Sequence, residues 1–181
     1  NLLYPEKELG PVTYQKPKHT KGIRRREVIK RDGLQSDLIQ KTFSAIPKSR
    51  LLTILSKAVS DNTLGFEQMA MIIAVNCHSL ETRDNGQRYL DHIMAVAADP
   101  SLTKTQKVIA LLHDVIENSN LTVADFRDVR MPAGIIESLE AITIGTVINP
   151  VTGAVEKEPY LTFIRRVAAN PDAAAVKIAD I

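Results

Sequence analysis

Residues 103–116 constrain this chain more than any other stretch. Thr103-x-x-Gln106 is a capping-box pattern, in which each end residue satisfies a free backbone N–H at a helix start. Behind it come Val108, Ile109, Ala110, Leu111, Leu112, Val115 and Ile116, apolar on nearly every side. A helix without a polar face belongs in the middle of a bundle, covered by other helices. The covering helices are legible on both sides. Leu51, Leu52, Leu55, Ala58 and Val59 form one apolar stripe, stopped around Asp61-Asn62. Phe66, Met69, Ala70, Ile73 and Cys77 form a second, at i, i+3, i+4, i+7 and i+11. Tyr89 to Ala98 makes a third helix, between the turn-prone Asp84-Asn85-Gly86 and Asp99-Pro100. Short helices are expected at about 122–128, 133–144 and 159–169, and a final one after Asn170-Pro171. Residues 145–158 carry Gly145, Asn149-Pro150 and Gly153 and read as an exposed loop or small hairpin. The expected fold class is all-α.

Composition narrows the alternatives. The 181 residues are 44% hydrophobic and 24% charged, too apolar for a disordered chain. The longest apolar run, Met69 to Val75, is far below the roughly 18–20 residues a membrane helix needs. Cys77 is the single cysteine and can staple nothing within the chain, which fits a reducing compartment. No charged-then-apolar leader opens the sequence, so a cytoplasmic location without a membrane partner is expected. The net charge of +2 is unevenly spread, with +7 in residues 1–50 and −5 in the remainder. Two segments follow: a basic N-terminal extension over 1–48 and a helical domain over 49–181. The extension is irregular, and Arg24 to Arg31 is its one candidate for a short strand or hairpin arm. Lys16 to Arg31 holds eight basic residues but only Tyr14 lies nearby as an aromatic, a composition that favours a solvated arm over nucleic-acid contact. The helical pattern runs into Ile181, so the native chain is expected to continue.

The chemistry-bearing residues fall inside the apolar helices. The central helix contains His113-Asp114, with Glu117 at i+4 from the histidine and i+3 from the aspartate, all on one side. An imidazole and two carboxylates in so apolar a helix are costly unless something compensates them. A buried, hydrogen-bonded His–Asp pair is one compensation; a divalent metal is the other. His92 in the preceding helix and Asp180 in the last one favour the metal. One His, a His-Asp pair and a distant Asp on three helices make a nitrogen and oxygen ligand set suited to Mn²⁺, Fe²⁺, Zn²⁺ or Mg²⁺.

The order His92 … His113-Asp114 … Asp180 resembles the HD-domain metal-dependent phosphohydrolases. The stretch His78-Ser-Leu-Glu-Thr-Arg83-Asp-Asn-Gly86-Gln-Arg-Tyr89-Leu-Asp-His92 is similar, without a gap, to the bacterial guanosine-tetraphosphate hydrolase pattern H-x-G-Q-x-R-K-S-G-E-P-Y-I-x-H. Leu111-Leu-His-Asp-Val-Ile-Glu-Asn118 resembles L-L-H-D-V-V-E-D of the same family. Glu158 to Asn170, followed by Val176-Lys-Ile-Ala-Asp180, resembles small stand-alone bacterial members. The likeness covers about 65–181; the first 48 residues match no known pattern.

The resemblance implies an HD-type helical bundle that hydrolyses a nucleotide, with guanosine 3′,5′-bispyrophosphate the first substrate to consider. It implies His92, His113, Asp114 and Asp180 as ligands of Mn²⁺, and Glu117 as the first member of an acidic pair beside the reacting water. Arg83 matches the arginine that packs on the guanine base. Three positions depart from the pattern. Asn118 stands where the family has the second acid, so Asn118→Asp is expected to raise turnover. Asp84 replaces a lysine facing the substrate phosphates, and Leu80 and Glu81 replace the Gly and Gln of the first motif. These departures leave a second reading open: a non-hydrolysing module that senses a nucleotide or serves as a scaffold in a larger protein. Of the remaining residues, Tyr89 belongs either to the core or to the substrate pocket. Lys177 is either an ion-pair partner of Asp180 or a phosphate contact. His78 and Cys77 read as core, and Arg165-Arg166 as a solvated face.

Overall fold

A computed structural model describes residues 46–181. The proposed strand or arm at Arg24–Arg31, and all of the basic extension before Ile46, lie outside the described residues. Nine helices are described: α1 (Lys48–Ser60), α2 (Phe66–His78), α3 (Tyr89–Ala97), α4 (Lys104–Leu112), α5 (Val115–Asn118), α6 (Val123–Asp128), α7 (Ala133–Ile142), α8 (Tyr160–Ala168) and α9 (Pro171–Ala179). Between α7 and α8 the strands β1 (Thr146–Ile148) and β2 (Val155–Lys157) pair antiparallel, Thr146 opposite Lys157. The fold is mostly helical, as expected, and the loop at 145–158 is the hairpin of the two alternatives.

The central helix is where the apolar pattern places it. Val108, Ile109, Ala110, Leu111 and Leu112 of α4 are all buried, and α4 packs against α2, α3, α7 and α9. Its start is set by Thr103 and Gln106, whose side chains each take the other's backbone N–H at 3.3 and 2.9 Å. The helix α1 buries Leu51, Leu55 and Ala58 and ends where Asn62 turns to a φ of +52°. Ile46 also belongs to this unit: its backbone N–H donates to Asn76 Oδ1 at 2.6 Å and its side chain packs on the core. Ile46, three residues before the expected boundary at 49, thus packs with the helical unit.

Two expectations are corrected. The helix through His113-Asp114 is not continuous, since α4 ends at Leu112 and α5 resumes at Val115. The His113 side chain takes the Ala110 carbonyl at 2.7 Å, competing with the backbone for an acceptor of the last turn. Arg166 is not on a solvated face. Its guanidinium donates to the carbonyls of Ala141 and Thr143 at 3.0 and 3.1 Å, caps Glu140 as well, and pairs with the buried Glu158. Arg165 alone of the pair is exposed. Since Glu158 Oε1 also accepts the Gly145 N–H at 2.5 Å, this cluster fastens the base of the hairpin to the helices.

Candidate metal centre

Four chain segments meet at one point beside the core. His92 lies in the first turns of α3, His113 caps the end of α4, Asp114 opens α5, and Asp180 caps the end of α9. One nitrogen from each of His92 and His113 and one oxygen of Asp180 lie within 4.8 Å of one another. Asp180 Oδ1 is 3.0 Å from His92 Nε2 and 3.6 Å from His113 Nε2. Donors bound to one cation at about 2.0–2.2 Å sit roughly 3–4 Å apart, so these spacings fit one small divalent ion. Two of the three groups sit at helix C-termini, whose partial negative charge also favours a cation.

His113 carries the clearest sign. Its ring is 3% exposed, and a carbonyl can only accept, so Nδ1 gives its proton to Ala110. Nε2 is thereby left to face Asp114 Oδ2 at 3.3 Å and Asp180 Oδ1 at 3.6 Å, ion-pair distances without a well-formed hydrogen bond. A buried nitrogen without a well-formed hydrogen bond is poorly satisfied, and a metal-bound histidine commonly donates its other N–H to a carbonyl. The donor set therefore fits the group that the sequence pattern implies.

The fourth expected ligand, Asp114, stands at the edge of this trio. Its Oδ2 is 3.3 Å from His113 Nε2 and accepts the Tyr89 hydroxyl at 2.5 Å. Asn118 Nδ2 donates to the same hydroxyl at 3.0 Å. Tyr89 thus belongs to the site's wall and not merely to the core. Lys177 pairs with Asp180, its ammonium 2.7 Å from Oδ2. Glu117 Oε1 accepts the Ile144 N–H at 2.8 Å, which leaves one carboxylate oxygen uncommitted by that bond. Arg83 lies in an exposed turn closed by its own N–H to Gln87 at 2.8 Å, with Gly86 at a φ of +83°.

The charges sort the residues by role. Burial, with the Arg83 cation, lowers the pKa of His92, which keeps a neutral ring with a lone pair to offer. Burial also works against a charged His113, but Asp180 and Asp114 outweigh it and raise its pKa. Asp180 is held well below the usual carboxylate range: burial opposes this, while His113 and Lys177 prevail. Glu117 is raised, first by burial and then by Asp114, with Lys157 and Lys177 working against the shift. Burial and Asp114 push the Tyr89 phenol far up, so it keeps its proton.

Some contributors gave no sign in the sequence. Lys157 comes within electrostatic reach of Glu117 only because the hairpin sets it opposite Thr146, a pairing that no local pattern encodes. His78 is fully buried, bonded through Nδ1 to Glu81 at 2.8 Å and stacked on Tyr89 at 5.1 Å. Its position at the end of an apolar stripe could have shown the burial but not the ring beneath Tyr89.

Compared with known proteins, the chain matches no protein-family model and no curated protein.

Proposed function

We propose that this chain is a metal-dependent phosphohydrolase acting on a nucleotide, with guanosine 3′,5′-bispyrophosphate as the first candidate substrate. The observation that carries the reading is the convergence of His92, His113 and Asp180, with the buried Nε2 of His113 facing carboxylates without a well-formed hydrogen bond. Support for the substrate comes from the motif resemblance around Arg83, Tyr89 and His92. His92, His113 and Asp180, with Asp114 beside them, would hold the cation, Mn²⁺ by resemblance. When bound, such an ion acidifies water and draws charge from a phosphoryl oxygen.

The chain's own groups do the remainder. Glu117 has a raised pKa and one oxygen fixed by Ile144, which suits a carboxylate that orients a water and accepts its proton. Arg83 offers an exposed planar cation on the His92 side, where it can stack on a base. Lys177 and Lys157 add positive charge near Glu117, which would favour negative charge developing on a bound phosphoryl group.

The test is a screen of purified protein with Mn²⁺ against nucleotides, guanosine 3′,5′-bispyrophosphate included, following released phosphate or pyrophosphate. Release that requires Mn²⁺ and disappears in His113→Ala is the expected result. Metal binding without turnover of any nucleotide would favour the sensing or scaffolding module instead.

A further inference from the structure

We propose that Asn118 is a positioning residue that acts through the Tyr89 hydroxyl to aim Asp114 at the cation, and is not half of an acidic pair with Glu117. This deepens the metal-centre reading above and rests on it. Asp114 occupies the N-cap position just before α5, where an aspartate side chain ordinarily caps the helix, yet it makes no such bond. Its carboxylate is held from outside instead, by Tyr89 at 2.5 Å.

The hydrogen-bond count decides what can stand at 118. A phenol has one proton, and Tyr89 gives it to Asp114, a carboxylate that can only accept. The phenol oxygen then faces Asn118 as an acceptor, and the amide Nδ2 donates to it at 3.0 Å. An ionised aspartate in that place has nothing to donate, and would set two carboxylates against one proton. Neighbouring Glu117 is turned to a different partner, the N–H of Ile144. The two side chains serve separate jobs.

Tyr89 is well placed to transmit position. Its ring stacks on His78 with 22° between the planes, and His78 is itself pinned by Glu81. Its backbone N–H donates to the Glu81 carbonyl at 2.9 Å. The hydroxyl is consequently delivered from a rigid support, and Asn118 fixes its remaining freedom. Partners of this kind, one shell removed from a metal, typically change its affinity by about 10–100-fold when removed.

The experiment is a double-mutant cycle on Mn²⁺ affinity, measured by calorimetric titration, using Asn118→Ala, Tyr89→Phe and the pair. Tyr89→Phe is expected to weaken binding by roughly tenfold or more, and Asn118→Ala by less. In the Tyr89→Phe background, Asn118→Ala is expected to cost nothing further. An equal loss in both backgrounds, or none in either, would overturn the proposal. Asn118→Asp should lower turnover, and a tenfold rise would restore the acidic-pair reading. If wild-type protein binds no Mn²⁺, the metal centre itself fails. The same cycle on the melting temperatures of the metal-free proteins still tests the link, since independent losses from the two substitutions would refute it.

Discussion

The two oxygens of Asp180 face different partners: Oδ2 takes the Lys177 ammonium at 2.7 Å, while Oδ1 lies 3.0 Å from His92 Nε2. A carboxylate held on one side by a cation presents its other oxygen in a fixed direction. Asp180→Asn keeps the shape and the neighbours but removes the negative charge. The variant is expected to lose most of its Mn²⁺ uptake, read by elemental analysis after desalting. Undiminished uptake would take Asp180 out of the ligand set.

If the proposed centre holds a cation, His113 makes its binding depend on pH. Its pKa lies above the ordinary 6.5, because Asp180 and Asp114 outweigh its burial. The proton that this shift retains must leave before a cation can take Nε2. Mn²⁺ affinity is therefore expected to rise with pH through 6.5 and beyond, with proton release visible as buffer-dependent heats in calorimetry. In the metal-free protein the sign for stability is opposite. The contribution of His113 is fully present below 6.5 and fades as pH climbs through its raised folded value. His92 is lowered by burial and by Arg83, so it offsets part of this trend. A pH-independent affinity between 6 and about 8 would contradict the assignment.

Arg83 touches the site through charge and not through the metal. Its guanidinium helps to lower the pKa of His92, yet it lies in an exposed turn outside the ligand trio. Arg83→Ala is expected to raise the His92 pKa, followed by NMR titration of the metal-free protein, and to leave Mn²⁺ content unchanged. Nucleotide affinity should fall at the same time. Equal nucleotide binding by variant and wild type would remove Arg83 from the substrate site.

The Glu158–Arg166 pair gives a stability prediction. Glu158 is 3% exposed, and its carboxylate is anchored by Arg166 and the Gly145 N–H. Arg166→Met leaves that charge buried without its cation and also uncaps the carbonyls of Ala141 and Thr143. Breaking one side of a buried pair costs about 3–5 kcal/mol, so the urea midpoint should fall markedly. A shift equivalent to less than about 1 kcal/mol would show that water replaces the guanidinium.

What could be read in advance follows the range of each interaction. Helix starts and apolar faces are local, so Thr103–Gln106 and the α4 residues announced themselves. His92, His113 and Asp180 were legible because each is a polar residue set in or next to an apolar helical stretch, and the three do meet in space. The break after Leu112 was hidden because it depends on a side chain, the His113 imidazole, competing for a backbone carbonyl. Arg166 differs from Arg165 only by its helical phase relative to Phe163 and Val167, and a doubled arginine masks that phase. Lys157 reaches Glu117 through a strand pairing, and Asn118 meets the Tyr89 hydroxyl, 29 residues away. Neither relation leaves a trace in spacing.

The bond from His113 to the Ala110 carbonyl ties the centre to the middle of the core. Ile109, Leu111 and Leu112 have at most 2% exposure, so the last turn of α4 is both interior packing and the seat of the proposed ligand His113. Close-packed interiors transmit small displacements instead of absorbing them. A methylene trimmed from Leu112 would thus reach the imidazole as a change of aim. On the proposed reading, substitutions that the fold tolerates elsewhere would register here as altered chemistry, because these few core positions also set where the His113 ring points.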